Sequence, residues 1–156
     1  MHMKSRKNSE KDIGQISTYH SGVAQASAHR RMNRIKTDFL LSYGLSPMQW
    51  FAIGYIYDAG EHGVRMSDLA KSLETTLPYI TNTIAILEGK GIISKKSHEG
   101  DSRIKLLCVN KSYKKTVVEI ESLLRQRLRE ELYGEDHISR DELATYIHVL
   151  YKIIGK

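Results

Sequence analysis

One stretch of this sequence decides its fold: residues 76–110, TLPYITNTIAILEGKGIISKKSHEGDSRIKLLCVN. Its first half places Ile80, Ile84 and Leu87 at helical spacing, behind a threonine suited to capping and an early proline. Gly91 supplies a stop signal. We therefore predict a helix that is capped by Thr76 and runs to about Gly89.

The second half of the stretch has the pattern of a β-hairpin. Two runs rich in residues that favour strands, 92–97 and 104–109, flank a polar tip at 98–103. Asn110 is placed to cap the next helix. The helix and hairpin together predict a helix followed by a β wing.

The residues before this stretch complete a helix-turn-helix. Ser67–Leu73 has the apolar spacing of a short helix, and only a tight turn separates it from the helix after Thr76. Further upstream, Ser46 and Pro47 mark the start of another helix, while Gly63-Val64-Arg65 is expected to be briefly extended.

Long amphipathic helices are predicted on both sides of this unit. Apolar stripes run from about Ile13 to Leu41, which Gly44 ends, and from Ser112 to Tyr133; a capping box at Ser139 and Glu142 opens a last helix. These stripes exceed what one small domain can cover, so we expect a homodimer.

The predicted fold is mainly α with a small β wing: a winged helix-turn-helix domain with N- and C-terminal dimerisation helices. The expected divisions are a disordered tail at 1–12, a helical dimerisation region at 13–44 and 112–156, and a DNA-binding region at 45–111.

Charge is distributed unevenly along the 156 residues, whose formal net charge is +6. Residues 1–36 carry a net +6, residues 60–115 a net +4 and residues 116–156 a net −2. A basic N-terminal part and middle indicate a polyanionic partner, whereas the acidic C-terminal third is typical of a separate association region.

Composition also predicts the compartment. No stretch approaches the roughly 18 uninterrupted apolar residues of a membrane span, and the N-terminus lacks the apolar run of a signal peptide. Cys108 is the single cysteine, so an internal disulfide is excluded. A soluble, cytoplasmic protein without membrane association is expected.

Four short segments resemble the MarR family of transcription regulators. Residues 45–50, LSPMQW, resemble the family's Leu-Thr-Pro-x-Gln-Phe, and residues 66–70, MSDLA, its Leu-Ser-Glu-Leu-Ala. Residues 87–93, LEGKGII, are similar to its Leu-Glu-x-x-Gly-Leu-Val, and residues 101–103 match its Asp-x-Arg wing. The resemblance covers roughly Ile13 to Ile154 and implies a dimeric winged-helix regulator of transcription.

The resemblance also implies which residues contact double-stranded DNA. In the helix after the turn they are Thr76, Pro78, Tyr79, Thr81 and Asn82, where asparagine pairs well with adenine in the major groove. Asn82 stands where many members have arginine, Thr83 replaces an apolar residue, and Leu77-Pro78 stiffens a normally polar helix start. For Tyr79 a solvated aromatic ring is the alternative.

In the wing, the resemblance assigns the minor groove to Arg103, whose planar cation suits the negative potential there. Asp101 would orient it, although a surface ion pair that only stabilises the hairpin is the alternative. Lys95, Lys96 and Lys105 are expected near phosphates, unless they are simply solvated.

Other ligand sites receive less support from the sequence. Tyr43, Trp50 and Tyr55 lie near the family's site for aromatic effectors, although core packing also explains them. The histidine spacings do not fit metal ligands on one helix, and Cys108 lies in a strand, where it is expected to pack. No metal, cofactor or redox sensor is therefore expected.

The function favoured by these features is a ligand-responsive repressor that binds a pseudo-palindromic operator as a homodimer. The alternative is a winged-helix module that binds an acidic protein rather than DNA. No nucleophile and base pair, paired carboxylates or phosphate-binding glycine loop stands in a fitting context, so an enzyme is not expected.

Overall fold

The computed structural model of this protein describes residues 15–156, except the side chains of Glu135 and Asp136. The predicted tail at residues 1–12 and the predicted helix start at Ile13 lie outside the described residues. Two compact units are distinguished, one up to Arg34 and one from Ile35 to Lys156. Among residues 15–156, no helix combines the length and apolar character needed to cross a bilayer.

The first helix begins later than its apolar stripe predicted. Helix α1 spans Thr18–Leu41. Ser17 accounts for this start, because its Oγ accepts a hydrogen bond from the His20 backbone N–H at 3.3 Å and its carbonyl accepts one from the Ser21 N–H at 3.0 Å. At the other end Gly44 has a φ of 66°, as a helix stop requires.

The predicted helix-turn-helix is present. Helix α2 spans Pro47–Asp58 behind a capping box formed by Ser46 and Gln49. Helix α3 spans Met66–Ser72 and helix α4 spans Leu77–Gly89, with Thr76 as the N-cap of α4. The starts of α2 and α4 follow the capping residues that the sequence displays, whereas α3 begins after Arg65 without a side-chain cap.

A three-stranded antiparallel sheet carries the wing. Strand β1 is Val64–Arg65, β2 is Ile93–His98 and β3 is Asp101–Val109, in the order β1-β3-β2. The predicted hairpin tip at 98–103 is therefore wrong in extent, because backbone pairing extends β3 back to Asp101, opposite His98. Only Glu99 and Gly100 remain as the turn.

Gly63 allows β1 to pair closely with β3. Its φ of 72° and ψ of 179° lie in a region that essentially only glycine occupies. A Cβ atom there would lie 2.8 Å from the Leu107 carbonyl oxygen and 2.9 Å from the Cys108 Sγ. A larger residue would thus push β1 away from β3.

The helix predicted from Ser112 to Tyr133 is interrupted at both ends. A 3₁₀ turn at Lys111–Tyr113 precedes α5, Lys114–Leu128, and a π-helical turn at Arg129–Tyr133 follows it. The predicted side-chain cap by Asn110 is absent, because its Nδ2 donates a hydrogen bond to the Gly91 carbonyl at 2.7 Å instead.

The C-terminal helices are short α6, Gly134–His137, and α7, Arg140–Ile153. The predicted capping box of Ser139 and Glu142 is present at the start of α7. No residue of α7 is buried, and the apolar stripe of this helix is open to solvent.

The core lies in the unit from Ile35 to Lys156. Its largest fully buried side chains come from α1, α2, α3, α4, β3 and α5: Leu40, Ile53, Ile56, Leu69, Ile80, Ile84, Leu87, Leu107 and Ile120. This core anchors one side of α4 and the base of the wing, which leaves the other side of α4 exposed.

Candidate nucleic-acid interface

The N-terminus of α4 is held by its cap. The Thr76 hydroxyl accepts a hydrogen bond from the Tyr79 backbone N–H at 3.4 Å, and Pro78 lies in the first turn, where its missing N–H costs nothing. The first turn of α4 is exposed from Thr76 to Tyr79. Its remaining backbone N–H groups therefore face solvent, where they can meet a phosphate.

Burial divides α4 into two sides. Ile80, Ile84 and Leu87 are fully buried, as the sequence predicted. The residues assigned to DNA are all exposed: Thr76, Pro78, Tyr79, Thr81 and Asn82.

Thr83 stands in the core at a position where the family has an apolar residue. It is 5% exposed, and its hydroxyl donates a hydrogen bond to the Tyr79 carbonyl at 2.9 Å. Because the hydroxyl is satisfied within the helix, burying this polar group does not leave an unpaired donor.

The wing residues lie on a strand rather than in a loop. The Asp101 Oδ1 accepts a hydrogen bond from the Arg103 backbone N–H at 2.9 Å, so Asp101 orients the backbone of Arg103. Within the described part of the chain, the Arg103 guanidinium has no hydrogen bond or salt bridge. The sequence alternative, an Asp101–Arg103 ion pair of side chains, is thus not formed, and the cation is available to a ligand.

The three lysines near the wing are exposed but engaged. The Lys95 Nζ lies 3.0 Å from the Glu88 Oε2, and the Lys105 Nζ donates to the Ser97 Oγ at 2.8 Å. The Lys96 Nζ donates to the Glu61 backbone carbonyl. The salt bridge offsets the charge of Lys95, whereas the hydrogen-bond acceptors of Lys96 and Lys105 are uncharged.

Two of the three predicted effector residues share a cleft. Trp50, which is 8% exposed, and Tyr55 line a cleft of about 480 Å³ between α2 and the C-terminal end of the chain. Trp50 also lines a larger cleft of about 1030 Å³ between α2 and α5.

Tyr43 is not among the residues that line the described clefts. Its hydroxyl donates a hydrogen bond to the Glu119 Oε1 at 3.0 Å. Desolvation, and then the hydrogen bond to Glu119 and the negative charge of that residue, raise the pKa of the Tyr43 hydroxyl. This hydrogen bond joins the turn after α1 to α5.

The clefts are also lined by cationic side chains that the sequence did not assign to a site. Arg125 and Arg129 lie one helical turn apart and line the large cleft and a neighbouring one of about 430 Å³, which Lys36 and Trp50 also line. Burial lowers the pKa of Lys36, and its Nζ lies 5.5 Å from the centre of the Phe51 ring. The four-residue spacing of the two arginines, which places them on the same side of a helix, was the sequence signal that could have indicated this pair.

Comparison with known proteins agrees with this architecture. The MarR family model matches residues 45–105, which include α2, the helix-turn-helix and most of the wing. The resemblance to the MarR family drawn from four short segments is thereby confirmed.

Solved structures resemble the chain over most of its length. The complex of Staphylococcus aureus MepR with DNA is 25% identical, with a TM-score of 0.67 over 90% of this chain and 98% of that one. A mutant of E. coli MarR complexed with operator DNA is 20% identical, with a TM-score of 0.67 over 85% and 91%. CouR from Rhodococcus jostii RHA1, bound to p-coumaroyl-CoA, is 15% identical, with a TM-score of 0.75 over 85% and 90%. The last two are evidence for the winged-helix fold alone.

Proposed function

We propose that this chain, whose residues 45–105 match the MarR family, is a homodimeric regulator of transcription that binds double-stranded DNA in a sequence-specific manner. The observation that carries the proposal is the two-sided burial of α4. Its core side is held by fully buried side chains, while its uncharged side faces solvent. The DNA complex of MepR, which shares this fold and 25% of its sequence, supports the same use of the surface.

Each part of the interface has a distinct role. Helix α4 enters the major groove, where Asn82 and its neighbours meet base edges. Arg103 enters the adjacent minor groove, held in place by the hydrogen bond between Asp101 and its backbone. Lys96 and Lys105 lie near phosphates and add affinity that depends on salt.

The dimerisation region consists of residues 13–44 and 112–156. Helix α7 and its C-cap carry apolar side chains that the described residues leave 38–43% exposed: Ile147, Leu150 and Ile154. A second copy covers them in a symmetric dimer. Two reading heads related by two-fold symmetry require a pseudo-palindromic operator with half-sites about one helical turn apart.

A small molecule in the clefts beside Trp50 regulates binding. Lys36 and Arg129 favour an anion in the cleft of about 430 Å³, where Arg125 forms a salt bridge with Glu121, and the Trp50 ring favours a flat group. CouR, a protein of the same fold, has been solved with p-coumaroyl-CoA. An effector that binds better to a dimer with misplaced reading heads releases the operator by its differential affinity, and the protein acts as a repressor.

Binding to genomic fragments at graded salt, followed by sequencing of the retained DNA, tests the proposal. We expect one enriched pseudo-palindromic sequence and an affinity that falls steeply with salt, because phosphate contacts release counterions. A flat salt response without an enriched fragment would contradict DNA binding and favour the protein-interaction alternative.

A further inference from the structure

The exposed side of α4 carries almost no charge. Between Thr76 and Gly89 the single Asp, Glu, Lys or Arg is Glu88, in the last turn. Glu88 forms a salt bridge with Lys95 at 3.0 Å. The first three turns of α4 therefore offer a ligand neither a cation nor a carboxylate.

Three residues form the centre of this exposed side. With 100° between successive residues, Pro78, Asn82 and Ala85 lie directly opposite the buried stripe of Ile80 and Ile84. All three are exposed. Within the described chain, the Asn82 amide makes no hydrogen bond, so its donor and acceptor are both available.

The flanks of this centre are apolar as well. Leu77 is 47% exposed, and Tyr79 and Ile86 are 48% and 42% exposed. The Thr81 hydroxyl donates its proton to the Leu77 carbonyl at 2.9 Å, so this side chain presents its methyl group and cannot donate to a base. Asn82 thus carries the one side-chain amide of this exposed surface, where its neighbours are apolar groups and the Tyr79 phenol.

The base pairs differ in what they demand of such a surface. In the major groove, guanine is read by Arg or Lys at its O6 and N7, and cytosine by Asp or Glu at its amino group. Adenine is read by Asn or Gln at its N6 and N7, and thymine by apolar groups at its methyl. The first three turns of α4 expose no Arg, Lys, Asp or Glu, which would read G·C pairs. They expose an asparagine and apolar groups, which read A·T pairs.

We infer that α4 reads A·T pairs, with Asn82 on an adenine and Pro78 and Ala85 against thymine methyl groups of neighbouring pairs. The inference rests on the proposed function and adds the class of base that the reading helix selects. Charge-dependent affinity for the backbone comes from the wing, where the cations Lys96 and Lys105 lie.

Replacement of thymine by uracil tests this reading without altering the protein. The best-bound duplex is selected from a random library and remade with deoxyuridine in each half-site, which removes the methyl group and leaves base pairing and the minor groove intact. Each methyl group covered by α4 should account for about a fourfold loss of affinity. Fluorescence anisotropy at fixed salt measures the loss.

A protein variant tests the role of Asn82 separately. Asn82→Arg should move the preferred base at one position of each half-site from adenine to guanine, because arginine pairs with the guanine O6 and N7. Asn82→Ala should reduce affinity about 5- to 100-fold for the adenine site while leaving affinity for other bases at that position unchanged. Circular dichroism checks that α4 is intact in both variants.

The outcomes of these experiments distinguish a failure of A·T reading from a failure of DNA binding. Salt-dependent binding to a site whose half-site centre is G·C, or affinity that uracil leaves unchanged, would overturn A·T reading while DNA binding stands. Failure to retain any duplex at any salt concentration would overturn both.

Discussion

At the scale of single residues, the wing shows how a backbone contact frees a side chain. Asp101 accepts from the Arg103 backbone N–H and so fixes the strand, which leaves the guanidinium without a partner in the described chain. An ion pair between the two side chains would have neutralised the charge that a minor groove attracts. The arrangement favours DNA contact over stabilisation of the hairpin.

Arg103→Ala is therefore expected to weaken operator binding by about 1–3 kcal/mol, the usual range for an arginine at a base edge. The operator affinity of Arg103→Lys should lie between those of the wild type and Arg103→Ala, because lysine keeps the charge but lacks the planar fork of the guanidinium. The control is Lys115→Ala, which removes one exposed charge outside residues 45–111 and whose dimer is first shown to be intact by sedimentation equilibrium. Equal affinities of Arg103→Ala and the control would place Arg103 outside the interface.

Gly63 is the residue on which the base of the wing depends. Gly63→Ala should lower the free energy of unfolding by more than about 3 kcal/mol, because backbone strain there adds to the close contact of the new Cβ with the Leu107 carbonyl. Gly60→Ala is a matched control, since Gly60 has a φ of 60° but no atom within 4 Å of an added Cβ.

The control should lose only about 1–2 kcal/mol, the cost of a left-handed conformation. Urea denaturation of both variants at one protein concentration gives the comparison. If the two glycines prove equally sensitive, the close packing of β1 on β3 is not what Gly63 provides.

At the scale of elements, side-chain caps mark where α2, α4 and α7 begin. The capping box at Ser46 satisfies two backbone N–H groups at the start of α2. The Ser46 N–H donates to the Gln49 Oε1 at 3.0 Å, and the Gln49 N–H donates to the Ser46 Oγ at 3.2 Å. Helix α2 carries Trp50 and the fully buried Ile53 and Ile56, so its start determines where the cleft residues lie.

Ser46→Ala should lower the free energy of unfolding by about 1 kcal/mol, as the loss of an N-cap does elsewhere. Ser42→Ala, whose hydroxyl donates only to the Phe39 carbonyl within the last turn of α1, should change it by no more than about 0.5 kcal/mol. Thermal unfolding of the two variants distinguishes them, and a stable Ser46→Ala protein would show that tertiary packing alone sets the start of α2.

At the scale of the whole molecule, α7 is an amphipathic helix that buries none of its residues against the described part of its own chain. One side carries Leu143, Ile147, Leu150 and Ile154, and the other is polar. Such a stripe is costly in water, and a second copy is the partner that the proposed function requires.

Ile147→Asp should weaken the dimer at least tenfold, because a carboxylate buried without a partner costs several kcal/mol. Thr145→Asp adds the same charge on the opposite side of α7 and should leave the dimer intact. Sedimentation equilibrium measures both, and operator affinity should fall together with dimerisation. A dimer that tolerates Ile147→Asp would move the interface away from α7.

The sequence predicted the helix-turn-helix closely because its signals are local. Thr76, Pro78 and Gly91 act on their own turns, and the spacing of Ile80, Ile84 and Leu87 follows from the geometry of one helix. The length of β3 could not be read in this way. Polar residues at 101–103 look like a loop in isolation, and only pairing with β2 makes them a strand.

What the sequence by itself determined was the order of elements, the buried side of α4 and the residue types that α4 presents, because these depend on neighbours within a few positions. Tertiary structure alone decided that the Arg103 guanidinium has no partner among the described residues, that Glu88 forms a salt bridge with Lys95, and that Arg125 and Arg129 line a cleft with Trp50. Those facts depend on which side chains meet across the fold, and helical or strand periodicity carries no information about such encounters.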